Sequence, residues 1–199
     1  MLLAVTIVSY KPTEAVEMMR RSRELDPSFA LLFANSSHVA ILTGDFAGGL
    51  ELGKQTVAMN PDFWLGHFYV GQALERLGDL NGALEAYSDA ARLSDGHSNT
   101  YMARASVLAK LGRTEEIRPL LAALTMRAER QYVPPFAVAV LNALLGDVDA
   151  AFVWLNRAVD ANDVDLPDVP TEPSLKILYG DPRFDAFLQR CGCSDNESD

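Results

Sequence analysis

The chain has 199 residues, 49% of them hydrophobic, enough to bury a real core in one domain or one elongated array. Its 27 acidic against 17 basic residues give a formal charge of −10. That balance argues against nucleic acid, whose binders draw most of their affinity from clustered Lys and Arg.

The opening stretch, MLLAVTIVSYKPTEAVEMMRRSRELDP, begins with a nearly unbroken apolar run. It is too short for a membrane span and lacks the basic start and cleavage site of a signal peptide, so neither a membrane partner nor export is expected and the localisation reads as cytoplasmic. Four evenly spaced glycines downstream give it meaning. Gly44, Gly78, Gly112 and Gly146 stand as LTGDF, RLGDL, KLGRT and LLGDV, each 34 residues after the last. A glycine after an apolar-periodic run enters the left-handed conformation that ends a helix, and Asp45, Asp79 or Asp147 behind it caps the next one.

Small residues keep the same period and let paired helices approach closely. Gly49, Ala83 and Ala151 follow the corner glycine, as do Thr56, Ala90 and Ala158, and Ser37, Gly71, Ala105 and Ala139 precede it. Pro27 and Pro61 close their units, where a helix must stop. The spacing predicts four helix-turn-helix units at 30–63, 64–97, 98–131 and 132–165. Stepping back from Gly44 lands on Tyr10, so residues 1–29 read as a truncated first unit. Leu2, Leu3, Ile7 and Val8 would then need cover, from a second copy in a homodimer or from upstream sequence.

The unit at 98–131 departs from the pattern. Ile117 and Leu124 replace small residues, Arg113 replaces the capping acid, and Pro119 predicts a shifted or shortened second helix. Beyond the last unit, residues 164–190 read as an acidic linker and a capping helix in which Asp181 is the N-cap, Pro182 the first residue, and Phe184, Phe187 and Leu188 one apolar face. Asp160, Asp163, Asp165, Asp168 and Glu172 read as a solvated loop face; Pro167 and Pro170 do not suit a calcium loop. Cys191 and Cys193 read as free thiols, and residues 191–199 as a disordered acidic tail.

Enzymatic and metal readings are weak. Ser36, Ser37 and His38 are helix neighbours that point apart, so no nucleophile and base pair forms. His67 reads as a core or edge histidine and His97 as a turn residue, which leaves no convergent metal set. In GDFAGGLELGKQT, Gln55 replaces the hydroxyl residue of a phosphate loop, and Gly53 reads as a close-packing point.

These spacings resemble the tetratricopeptide repeat (TPR), most closely in GHFYVGQALERLGDLNGALEAYSDAARL. The stretch QYVPPFAVAVLNALLGDVDAAFVWLNRAV with GDPRFDAFLQRCG resembles the C-terminal TPR regions of bacterial winged-helix transcriptional regulators, class III adenylate cyclases and serine/threonine kinases. The resemblance covers roughly residues 24 to 193. It implies an all-α fold, a right-handed α-solenoid of antiparallel helix pairs with a C-terminal capping helix, and a non-catalytic protein-protein interaction module without cofactor. The alternatives are the regulatory tail of a larger signalling protein and a self-associating scaffold. By position it implies a concave groove for a peptide or partner helix, lined by Asn35, His38, Leu65, Phe68, Tyr69, Gln72, Arg76, Met102 and Phe136. Asn35, Arg76 and Lys110 fall at clamp positions without reproducing the set that holds a peptide C-terminus.

Overall fold

A computed structural model describes residues 11–192. The expected half-helix at 1–10 with Leu2, Leu3, Ile7 and Val8, Cys193, and the acidic tail from Ser194 lie outside the described residues. The described residues form helices and no strand, so the expected all-α class holds. Ten α-helices are described: α1 Pro12–Leu25, α2 Ala30–Leu42, α3 Phe46–Met59, α4 Trp64–Leu77, α5 Leu80–Leu93, α6 Ser98–Lys110, α7 Ile117–Ala128, α8 Pro135–Leu144, α9 Val148–Asp160 and α10 Pro182–Cys191. The chain divides into two compact units, residues 1–100 and 101–199, and α6 crosses the division.

In the first unit α1, α2, α3, α4 and α5 pack each against the next. The corners form as their chemistry dictates. Gly44 and Gly78 both take φ of +88°, in the left-handed region where a side chain is strained, and no atom crowds either position. Asp45 then accepts a hydrogen bond from Gly48 N at 2.9 Å, and Asp79 accepts one from Gly82 N at 2.9 Å, satisfying an orphan donor at each helix start. Asp147 repeats the cap on Ala150 N at 3.0 Å in the second unit. Replacing Asp79 by Ala is expected to destabilise the fold by about 1 kcal/mol. Denaturant unfolding checks this: the midpoint should fall while the slope is unchanged, and an unmoved midpoint would show the cap to be idle.

The small positions are where the helices touch. Ser37, Gly49, Gly53, Gly71, Ala83 and Ala90 are buried, and Ser37 Oγ donates across the pair to Gly49 O at 2.7 Å. At Gly71 an added Cβ would stand 2.6 Å from the ring of Tyr87, which is itself 1% exposed.

In the second unit the helix after Gly112 is displaced. A 3-10 turn at Thr114–Glu116 occupies the place where the other second helices begin, and α7 starts only at Ile117. Pro119 therefore sits in the first turn of α7, where its missing N–H has no intrahelical partner to lose. Ile117 and Leu124, too large for the usual crossing points, become the buried face of the displaced helix.

The acidic run is not wholly the solvated face the sequence suggested. Asp163 is 3% exposed and accepts from Phe136 N at 2.9 Å and from Asp165 N at 3.2 Å. It caps α8 from 27 residues away, a donor site that the prolines at 134 and 135 cannot satisfy locally. Two 3-10 turns, Leu166–Thr171 and Pro173–Leu178, follow. They bring Val169, Leu175 and Leu178 into a core with Phe136, Val140, Phe152 and Leu155, which Phe184 and Phe187 of α10 close. Gly180 has φ of +85° and lies 34 residues after Gly146, so the period continues one step past the last expected unit. The cross-ties keep that step: Arg183 reaches Asp149 at 2.7 Å and Arg190 reaches Asn156 at 2.5 Å, each 34 residues back.

Candidate functional site

The first helices of the two complete pairs in the first unit, α2 and α4, carry most of the expected site. ALLFANSSHVAIL in α2 is apolar nearly all round, so Ser36 and Ser37 are buried and Asn35 and His38 half-buried rather than solvated. Ser36 Oγ donates to Leu32 O at 2.6 Å and Ser37 Oγ to Gly49 O, so both hydroxyls are committed to the backbone and neither serves His38. The His38 ring instead stacks on Tyr69, centroids 4.9 Å apart and planes 13° from parallel. Burial lowers the His38 pKa and pushes that of Tyr69 up to about 12, so both rings are neutral at neutral pH. Two neutral stacked rings offer hydrogen bonds and a flat apolar face.

Around this pair the polar and apolar groups separate. Tyr69, 5% exposed, joins Ala34, Ile41 and Ala73 in a core against which Leu65 and Phe68 pack half-buried. Phe68 is edge-on to Tyr69 at 5.8 Å and tilted against Tyr87 at 5.5 Å. Asn35 and Gln72 are half-buried, yet their side-chain amides have no hydrogen-bond partner among the described residues. Asn35 is one turn from His38, and Gln72 one turn from Tyr69. Arg76 is exposed at the end of α4, with its guanidinium 5.8 Å from the Phe46 ring centroid.

The two remaining expected residues lie in the second unit and are packing residues. Phe136 is 2% exposed in the C-terminal core, and Met102 is half-buried against it. His67 donates from Nε2 to Pro61 O at 2.8 Å, as an edge histidine would, and His97 stacks on Trp64 at 4.9 Å. The Gly-Lys segment is helical throughout, and a Cβ on Gly53 would meet Val70 at 2.9 Å, so Gly53 is a packing point. The Cys191 thiol donates to Leu188 O at 3.4 Å.

Three contributors were not legible from spacing. Phe46 comes from α3 to lie under Arg76, Tyr87 donates from α5 to Glu75 at 2.7 Å, and Asp163 holds the start of α8. Each acts across helices, where the period carries no signal; only the aromatic type of Phe46 and Tyr87 hinted at burial.

No family model matches the chain, and no curated protein does. Solved structures do. A thermophilic TPR protein of Thermus thermophilus superposes with a TM-score of 0.69 at 21% identity, covering 94% of this chain and 96% of that one. The fold is that of TPR proteins. The APC/C hetero-tetramer Cut9-Hcn1 gives the same score of 0.69 at 16% identity, with 94% of this chain covering 37% of the other. YrrB, a TPR protein with an unusual peptide-binding site, matches at 0.54 and 14% identity over 88% of this chain and 93% of its own. These matches carry the TPR fold and nothing narrower. Within it, the helix pairs meet at the small residues Gly49, Gly71 and Ala83, as the spacing predicted.

Proposed function

We propose that the chain is a non-catalytic interaction module that binds a partner protein through an extended peptide laid along α2 and α4. The observation that carries this reading is the pair of half-buried, unpartnered amides of Asn35 and Gln72 beside the stacked His38 and Tyr69 rings. A primary amide donates and accepts at once, which matches the alternating C=O and N–H of an extended main chain. Both amides still reach water and have no protein partner to give up, so a bound peptide backbone can take them directly. Leu65 and Phe68 supply apolar contact, and Arg76 faces an acidic or carbonyl-rich end of the ligand. Met102 and Phe136 contribute by holding the second unit's helices. The proposed repeat boundaries are 30–63, 64–97, 98–131 and 132–165. YrrB's peptide-binding site supports a peptide as the kind of ligand such a fold takes.

Peptides selected from a displayed random library against the full chain test this. The double variant Asn35→Ala, Gln72→Ala is expected to bind the selected peptide about 5- to 100-fold more weakly, the range for two lost hydrogen bonds, with unchanged thermal unfolding. Undiminished binding by the double variant would remove the amides, and with them the reading, from consideration.

A further inference from the structure

An open surface depression of about 500 Å³ lies in the second unit between the linker after α7 and the C-terminal half of α9. Tyr132, Val133 and Pro135 wall it on the linker side, Trp154 and Arg157 on the helix side. The linker is restrained: the rings of Pro134 and Pro135 fix φ at both positions, and Asp163 anchors the next N–H, that of Phe136. Tyr132 is nonetheless 66% exposed, an aromatic face held at the edge of the depression.

The cation in this wall is unusual. Arg157 lies over the Trp154 ring, its guanidinium carbon 4.4 Å from the centroid. Its natural acid is Asp160, one turn on in the same helix. That carboxylate is taken by Arg190 of α10 at 2.5 Å, and Arg190 also holds Asn156. Arg157 is left with no carboxylate partner among the described residues. Arg157 is exposed, and a guanidinium lying over a ring can present its N–H edge to an oxyanion arriving from solvent.

The neighbouring acids limit how much negative charge the depression accepts. Asp160 is paired with Arg190 and Asp163 accepts two backbone N–H bonds, while burial first, and then the charges of Asp163 and Asp165, raise the pKa of Tyr132. Arg157 matches one negative charge, and a second charge on the ligand would find no further cation in the lining. We propose that this depression is a second binding site, for a monocarboxylate carried on an aromatic or branched apolar body, with Arg157 holding the carboxylate and Tyr132, Val133 and Trp154 the body. It stands apart from the α2 and α4 reading and survives or fails without it.

The chain has two tryptophans, so a Trp64→Phe background makes Trp154 the sole reporter. The full chain is titrated with 3-phenylpropionate and with a short peptide ending in phenylalanine, each beside its amide. Saturable quenching by either acid, about tenfold tighter than its amide, supports the site, and the tighter of the two acids tells a free molecule from a partner's C-terminus. Arg157→Gln should lose about the same tenfold. Arg190→Gln should also weaken binding, by releasing Asp160 to Arg157, and adding Asp160→Asn should restore it. A merely structural role for Arg190 gives no such restoration. Equal affinity for acid and amide, undiminished binding by Arg157→Gln, tighter binding of phenyl phosphate, or no saturation at millimolar ligand would each overturn the proposal.

Discussion

Phe136→Ala should destabilise the second unit by about 3–5 kcal/mol, the range for emptying a buried aromatic site. The side chain is 2% exposed, packed with Val140, Leu155, Val169 and Leu178, and its own N–H is the one Asp163 holds. A void there cannot collapse readily, because α10 and the 3-10 turns close over the same core. Denaturant unfolding followed by circular dichroism should show the midpoint of the cooperative transition falling accordingly. Phe136→Leu, which keeps most of the volume, should cost much less and leave peptide affinity unchanged. A loss below about 1 kcal/mol for the alanine variant would mean that Phe136 is a surface contact after all.

Gly71→Ala is expected to destabilise the first unit, although alanine is the better helix former by about 1 kcal/mol. The added methyl would stand 2.6 to 3.1 Å from three ring atoms of Tyr87. That ring cannot swing aside: it is 1% exposed and its hydroxyl donates to Glu75 Oε2 at 2.7 Å. Overpacking of this kind costs about 1–3 kcal/mol, so a net loss near 1 kcal/mol remains after the gain in propensity. The contact makes a sharper test than the single variant. Tyr87→Leu removes the ring, and in that background Gly71→Ala should become neutral or stabilising. Additive losses in the double variant would show that Gly71 is small for some other reason.

The corner glycines were readable because a left-handed residue between two helices has one natural candidate, and repetition at 34 residues excluded accident. Gly180 obeys the same step, yet spacing alone did not reveal it. The segment before it, LPDVPTEPSLKIL, carries prolines that forbid a helical pattern, so the period had nothing to attach to. The displacement of α7 was legible from Pro119 and Arg113, since both change what a helix start can be. Asp163 was not: its partner lies 27 residues earlier, and only the folded chain brings that carboxylate to the α8 N-terminus. At the candidate site, the resemblance and the period picked out the face of each first helix. Depth depends on what the next helix lays over it, which is why Phe136 proved to be core while Asn35 and Gln72 stayed half-open.

The claim that binding runs along α2 and α4 is tested most directly by mapping a selected peptide onto the chain by amide and side-chain NMR shifts. The largest perturbations are expected at the Asn35 and Gln72 side-chain amides, the His38 ring and the end of α4 around Arg76. Saturating binding that leaves those resonances in place and moves the outer face of α5 or α9 instead would contradict it.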